Sequence, residues 1–240
     1  MVFLSVIIPA YNEEKRLPRT VRAVHEYLVR QNYSYEIIVS DGGSTDGTRE
    51  LVVSLGKEIP GLSLLKVENK GKGYAVRTAM LKAQGEFRVF MDADNATTID
   101  HVERMFPKFK EGCSVVICSR DMKGAVLAVA QPWWRRLLGD IFNLKVQVVS
   151  GLWGYWDTQC GFKGFTARAA EDIFSRAVID TWAFDVELLV IAKKKGFRVA
   201  EVPATWMNDP DSKVKFSGMI AMFFEILRIR MNIWKGVYEK

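Results

Sequence analysis

The chain has 240 residues, of which 49% are hydrophobic and 26% are charged. These proportions exclude a disordered or fibrous protein and indicate one globular domain, alone or with an appendage. The formal net charge of +6 favours an anionic partner such as a sugar nucleotide, a lipid phosphate or a membrane surface, without choosing among them. Because neither a basic tail nor a recognised nucleic-acid motif accompanies the charge, we expect no nucleic-acid partner.

Cysteine usage and the apolar stretches bear on the cellular compartment. The three cysteines lack metal-binding spacing, and their odd number favours free thiols in a reducing compartment. The apolar residues 2–10 lack the basic segment of a signal peptide, and no stretch reaches the ~20 apolar residues of a spanning helix. We therefore expect a cytoplasmic protein, or one that is peripheral on the cytosolic face of a membrane.

Strand and helix patterns alternate along the first half of the chain. Strands are predicted over 3–9, 35–40, 62–67, 87–91 and 115–119, and helices over 17–31, 48–55, 74–83 and 99–109. Residues 121–156 are rich in tryptophan and hold no clear strand. Strands then return at 162–166 and 197–202, helices at 167–177 and 186–195, and an amphipathic segment spans 217–238. This alternation predicts an α/β fold with a mostly parallel, doubly wound sheet.

Two aspartates, Asp92 and Asp94, follow the predicted fourth strand. In open α/β sheets, ligands bind at the edge where parallel strands end. Adjacent carboxylates repel each other unless a cation or protons neutralise them, and hard oxygen ligands suit Mg²⁺ or Mn²⁺ shared with substrate phosphates. The alternative is that the pair caps a helix beginning near Thr97.

Polar segments follow three other predicted strands. The first is the turn 9–14. In the second, 39–48, glycines allow a ligand close to the backbone, and Asp41 can accept a hydrogen bond from a nucleobase. In the third, 69–73, free amides and a lysine before a helix suit a phosphate. Each segment alone is more often a simple turn, but four in order at successive strand ends indicate one ligand-binding edge.

Four segments together resemble the family 2 glycosyltransferases, which have the GT-A fold. These segments are IIPAYNEE, SDGGSTDGT, NKGKGYAVRTAM and FMDADNAT. In the second half, DTQCGFK and WAFDVELL are closely similar to the dolichyl-phosphate β-glucosyltransferases, and the related mannose synthases share the general plan. The resemblance covers residues 3–215. It implies a GT-A domain over 1–216, in which 1–120 binds the nucleotide sugar and 121–216 binds the acceptor.

The resemblance also implies roles for single residues. Asp41 would contact the base, Lys72 would lie near the diphosphate, and Asp92 and Asp94 would hold Mg²⁺ or Mn²⁺ on it. The residues expected to bind the donor are Pro9, Tyr11, Glu13, Asp41, Lys72, Asp92, Ala93 and Asp94.

For the acceptor, Arg120 and Arg135 match basic positions that hold a lipid phosphate in the mannose synthases, and guanidiniums bind phosphate strongly. A strand-end salt bridge is the alternative for Arg120. Asp157 is a candidate carboxylate beside the reacting centre, with loop capping as its alternative. Together with Asp94, these three are the expected catalytic residues.

The implied reaction moves a hexose from a nucleotide sugar to a polyprenyl or dolichyl monophosphate. UDP-glucose is the favoured donor and GDP-mannose the next. A lipid phosphate is largely ionised at pH 7 because its second pKa is ~6, so a general base is not strictly required. Attack opposite the leaving group would give a β-linked product. Two departures bear on donor choice: Gly42 replaces a usual aspartate, and Thr181 replaces a common arginine.

Other readings of the chain stay open. Asp92-Ala93-Asp94 imitates the nucleophile motif of haloacid-dehalogenase-type phosphohydrolases, although Ala96 replaces their usual Thr or Val. A non-catalytic sugar-nucleotide-binding protein is disfavoured by the intact aspartate pair. Residues 217–240 form an amphipathic helix that either lies at a membrane interface or packs on the sheet or on a second subunit of a homodimer.

Overall fold

The computed structural model describes residues 1–127, 143–206 and 216–239. Its centre is a seven-stranded sheet with the strand order β3-β2-β1-β4-β7-β5-β8. These strands are β1 (Leu4–Ala10), β2 (Tyr35–Asp41), β3 (Leu62–Lys66), β4 (Phe87–Phe90), β5 (Val115–Ser119), β7 (Lys163–Thr166) and β8 (Val199–Pro203). A separate short pair joins β6 (Val126–Leu127) to β9 (Thr205–Trp206).

The sheet is parallel except at β7, which runs antiparallel between β4 and β5. The helices are α1 (Leu17–Leu28), α2 (Thr48–Glu58), α3 (Lys72–Lys82), α4 (Val102–Lys110), α5 (143–150), α6 (Ala167–Arg176), α7 (Phe184–Lys194) and α8 (Phe216–Trp234). One apolar cluster contains residues of α1, α2 and α4, and the other contains residues of α3, α6 and α7. The predicted α/β architecture with a doubly wound sheet is therefore confirmed.

Local differences from the sequence predictions have physical causes. The prediction of no strand in 121–156 is wrong at Val126–Leu127, because a two-residue strand is too short to leave an alternating pattern. Helix α3 begins at Lys72 instead of Tyr74, directly after Gly71 with its φ of +121°. The helical turn near the aspartate pair begins at Ile99, beyond Thr97.

The C-terminal segment packs on the rest of the protein. Ile226 and Ile229 of α8 are buried in the core cluster that contains α7. Tyr238 is also fully buried, and its hydroxyl donates to Glu187 of α7 at 2.8 Å. Glu187 also accepts from the Ile179 amide at 2.8 Å, so this buried carboxylate joins α7 to the segment before it and to the C-terminal residues. Among the described residues, no helix is long and apolar enough to cross a membrane.

Candidate active site

The first two loops after the strands are joined to each other. Ala10 and Asp41 are register partners at the ends of β1 and β2, so both chains leave the sheet side by side. Asn12 then donates its amide to the Ser44 hydroxyl at 2.9 Å and accepts from the Thr45 amide at 2.8 Å. Because two hydrogen bonds fix Asn12, its left-handed φ of +54° is held by both loops.

Asp41 lies at the base of the second loop. Its side chain is fully buried and accepts from the Gly43 amide at 3.2 Å and from the Ser44 amide. The guanidinium of Arg49 on α2 also donates to it. The carboxylate therefore shapes the loop from below, and the cation beside it, Arg49, was not predicted from the sequence.

The other residues expected at the first loop lie at different depths. Pro9 is buried near the end of β1, whereas the Tyr11 ring is exposed. Glu13 is buried and receives two bonds of 2.7 Å from the Arg16 guanidinium. The Glu13 amide donates to the Thr48 hydroxyl at 2.9 Å. Glu13 thus fixes the start of α1 against α2.

The predicted phosphate lysine and the aspartate pair meet in the structure. Lys72 Nζ lies 2.5 Å from Oδ1 of Asp92. Burial opposes the charge on Lys72, but Asp92 and Asp185 outweigh it and raise the pKa of the ammonium. Burial and the neighbouring Asp92 raise the pKa of Asp94, whose Oδ1 accepts from the Ala96 amide at 3.0 Å. Two repelling carboxylates thus lie near a lysine whose charged form they favour.

The backbone around the pair is held in place from α1. The Thr20 hydroxyl donates to the carbonyl of Ala93 at 2.6 Å. Asn95 has a left-handed φ of +57° and donates its amide to the carbonyl of Asp92 at 3.2 Å. The tight turn and the hydrogen bond from α1 together fix the direction in which the chain leaves β4.

A divalent metal fits this donor set. In the part of the chain that the structure describes, no group of three or more His, Cys, Asp or Glu side chains could hold a metal ion. Asp92 and Asp94 therefore offer two carboxylates at most, which suits a hard cation that completes its shell with water and substrate phosphate oxygens. Burial and the neighbouring Asp92 raise the pKa of Asp94, so a proton or a cation that neutralises this carboxylate relieves an unfavourable interaction.

A buried ion pair lies next to the site. Lys163 on β7 is fully buried, and its Nζ lies 2.5 Å from Oδ1 of Asp185 and 2.6 Å from the Cys160 carbonyl oxygen. Burial raises the pKa of Asp185, although Lys163 and Lys72 oppose this. A lysine inside a predicted apolar strand is a signal of such a partner, because an unpaired buried charge is costly.

The expected acceptor arginine is paired with the expected catalytic aspartate. Arg120 Nε and Nη2 each lie 2.8 Å from an oxygen of Asp157, and the Arg120 amide also donates to it at 2.8 Å. The Trp206 ring centroid is 5.5 Å from the guanidinium. Burial disfavours the Asp157 charge, but Arg120 outweighs it and lowers the pKa of Asp157. Asp157 therefore orients Arg120; Arg135 lies outside the described residues.

Comparison with known proteins shows which family the chain resembles. The family described as "Glycosyl transferase family 2" matches residues 5–174. The chain is 37% identical to dolichyl-phosphate beta-glucosyltransferase ALG5D of Trichomonas vaginalis, over 97% of this chain and 76% of that protein. It is 33% identical to the human dolichyl-phosphate beta-glucosyltransferase, over 98% of this chain and 77% of that protein.

A solved structure shares the fold. Glucosyl-3-phosphoglycerate synthase from Mycobacterium tuberculosis, crystallised with Mn²⁺, uridine diphosphate and phosphoglyceric acid, superposes with a TM-score of 0.68. The match covers 95% of this chain and 77% of that chain at 19% identity. At this identity the likeness supports the fold alone.

Proposed function

Because the chain belongs to glycosyl transferase family 2, it is a glycosyltransferase, and we propose that it transfers glucose from UDP-glucose to dolichyl or another polyprenyl monophosphate. The observation that carries this proposal is the cluster of Lys72, Asp92 and Asp94 at the carboxyl edge of the sheet. Its charges suit a nucleotide diphosphate with a divalent cation. The names of the two relatives are the basis for the proposed acceptor and sugar. Both are dolichyl-phosphate beta-glucosyltransferases, and both match nearly the whole of this chain.

In the proposed donor half, residues 1–120, charged side chains would bind and position the diphosphate of the sugar nucleotide. Mg²⁺ or Mn²⁺ at Asp92 and Asp94 would neutralise charge on the leaving diphosphate when bound. Lys72 would bind the same diphosphate from the start of α3, where the dipole of the helix also favours an anion. The base would lie over the loop that Asp41 shapes from below.

The proposed acceptor half, residues 121–216, begins directly after Arg120, which follows β5. The bidentate bond with Asp157 holds the guanidinium in one orientation, and 31% of the Arg120 side chain remains exposed for a phosphate. We propose Arg135 as the second phosphate ligand. The phosphate oxygen is ionised at pH 7, so it attacks the anomeric carbon without a general base, and attack opposite the diphosphate inverts that carbon.

The lipid acceptor also sets where the enzyme works. A polyprenyl chain stays in the bilayer, so we propose that the protein is peripheral on the cytosolic face of a membrane. The exposed apolar side chains of α8, with Arg228 and Arg230 on the same helix, support this proposal.

The decisive experiment gives the purified protein Mn²⁺ or Mg²⁺ and a short polyprenyl phosphate, with UDP-glucose, GDP-mannose or UDP-N-acetylglucosamine in turn. We expect nucleotide diphosphate release from UDP-glucose only when the lipid phosphate is present, with a β-linked product by NMR. Transfer from GDP-mannose instead would overturn the donor, and an α-linked product would overturn inversion. Release of free phosphate would favour a phosphohydrolase, and no product with any donor would favour a binding protein.

A further inference from the structure

A carboxylate on the C-terminal helix caps the start of another helix. Glu225 of α8 accepts from the backbone amides of Trp182 at 3.0 Å and Ala183 at 2.8 Å, and from the Thr181 hydroxyl. These groups stand immediately before α7, where backbone amides have no partner inside the helix. One side chain therefore fixes the whole turn 181–183 from a distant part of the chain.

The capped turn lies directly against the glycine-lysine segment at the start of α3. A Cβ on Gly71 would come 2.5 Å from the carbonyl oxygen of Asp180, and one on Gly73 would come 2.7 Å from Cβ of Phe184. The Tyr74 amide donates to the Asp180 carbonyl at 3.0 Å. Only glycines permit this approach, so a shift of either segment must move the other.

Lys72 lies between these two glycines in the sequence. Its Nζ is 5.7 Å from the Phe184 ring centroid and 2.5 Å from Asp92. An unbroken set of contacts therefore leads from Glu225 through the turn 181–183 to the lysine of the candidate donor site. The side chain that begins this path is 42 to 44 residues beyond the turn it caps.

We infer that Glu225 is a positioning residue for the donor phosphate: by capping 181–183, it holds the segment 71–73 and thereby Lys72 where the diphosphate binds. The assignment of the diphosphate to Lys72 rests on the proposed function. The mechanical link between α8 and the start of α3 rests on the contacts alone.

The test compares Glu225→Ala with a matched control, Glu239→Ala. Glu239 also joins the C-terminal residues to α7, through Lys194 at 3.0 Å, but it does not contact 181–183. With Mn²⁺ present, Glu225→Ala should raise the Kd for uridine diphosphate and the KM for the sugar donor about tenfold. The KM for the lipid phosphate should stay unchanged, as should all values in the control. Glu225→Gln, which keeps one acceptor oxygen, should restore part of the affinity.

Hydrogen exchange separates this inference from the proposed function. Amides of residues 71–75 should exchange faster in Glu225→Ala than in wild type or Glu239→Ala, whatever the donor is. If Glu225→Ala does not fold, Thr181→Val removes only the hydroxyl bond and should give a smaller change in the same direction. Unchanged exchange and unchanged nucleotide affinity in a folded variant would overturn the inference. A wild-type protein that does not bind uridine diphosphate would overturn the proposed donor, while exchange still decides the link.

Discussion

Gly161 lies against the side chain of Asp92, so closely that a Cβ at position 161 would come 2.1 Å from Oδ2 of Asp92. Gly161 and Asp157, the partner of Arg120, lie in the same loop, which leads into β7. The preceding residue, Cys160, accepts from the buried Lys163 through its carbonyl. The segment 157–161 of this loop therefore contacts the proposed metal ligand at one end and the proposed acceptor arginine at the other.

The first prediction is that Gly161→Ala displaces the Asp92 carboxylate and lowers kcat/KM by about a hundredfold, because misplacing a reacting group by ~1 Å costs that much. Steady-state kinetics with saturating lipid phosphate measure the effect. Gly56→Ala is the control, since its new Cβ would meet only the Leu62 carbonyl oxygen at 3.5 Å. Near-normal turnover in Gly161→Ala would show that Asp92 has room to move without loss of function.

The second prediction concerns Asp94→Asn. Burial and Asp92 raise the pKa of Asp94, so removing its charge should not destabilise the metal-free protein. Saturating Mn²⁺ at 100 times Kd stabilises a binding protein by about 2.7 kcal/mol, which corresponds to a Tm rise of roughly 5–10 °C at this size. We expect that rise in the wild type and less than half of it in the variant, measured by thermal unfolding with and without Mn²⁺.

The same scans contain their control. Asp100 is an exposed aspartate six residues beyond Asp94, and it accepts a hydrogen bond from the Thr98 hydroxyl. The variant Asp100→Asn should keep the full Mn²⁺ effect. An equal Tm rise in Asp94→Asn and the wild type would remove Asp94 from the metal site.

The third prediction uses the Arg120–Asp157 pair. Burial would raise the pKa of Asp157, but Arg120 outweighs it and lowers that pKa. The folded value is therefore below the unfolded one, so the pair stabilises the protein fully above the unfolded pKa of ~3.9, and this stability is lost as pH falls through the folded value. As pH falls from about 5 to about 2, the free energy of unfolding should fall more in the wild type than in Asp157→Asn.

Urea unfolding across this pH range measures the difference. Glu58→Gln, which removes an exposed pair with Arg22, should keep the wild-type slope because surface ion pairs contribute about 0–1 kcal/mol. Parallel curves for the wild type and Asp157→Asn would contradict the pair's role. Arg120→Ala is a poor probe of the acceptor, since it leaves Asp157 buried without its partner. Arg120→Lys keeps the charge, and it should raise the KM for the lipid phosphate alone.

The features that could be predicted from the sequence are those that depend on the local pattern of apolar and polar residues. The strand at Val115–Ser119 was predicted with the bounds it has, because its apolar run ends at a polar residue. Asp92 and Lys72 were predicted at one edge because parallel strands end together. The pair of Lys163 with Asp185 spans 22 residues, and no local signal names the partner of a buried charge. The antiparallel insertion of β7 likewise depends on long-range pairing.

The last prediction concerns the two faces of α8. Ile226 and Ile229 are buried, whereas Phe224 and Trp234 are 63% and 73% exposed. Exposed apolar side chains fall on one stripe of the helix, as their spacing requires: Phe223, Phe224, Leu227, Met231 and Trp234. The buried face of α8 therefore supports the interpretation that the helix packs on the protein. The exposed apolar face is compatible with the interpretation that the helix lies on a lipid surface. Deleting residues 217–240 would remove core side chains and could not separate them.

Point variants separate the two faces. Phe224→Ser with Trp234→Ser should leave Tm unchanged but weaken binding to anionic vesicles at least about tenfold, since a fully buried large side chain contributes about 1.5–3 kcal/mol. Activity should fall more on a long-chain lipid phosphate than on a short, soluble one. Ile226→Ala should instead lower the free energy of unfolding by about 2–5 kcal/mol and affect both acceptors equally. If the double variant binds vesicles like the wild type, the stripe does not contact lipid, and loss of a dimer in it would assign the stripe to a second subunit.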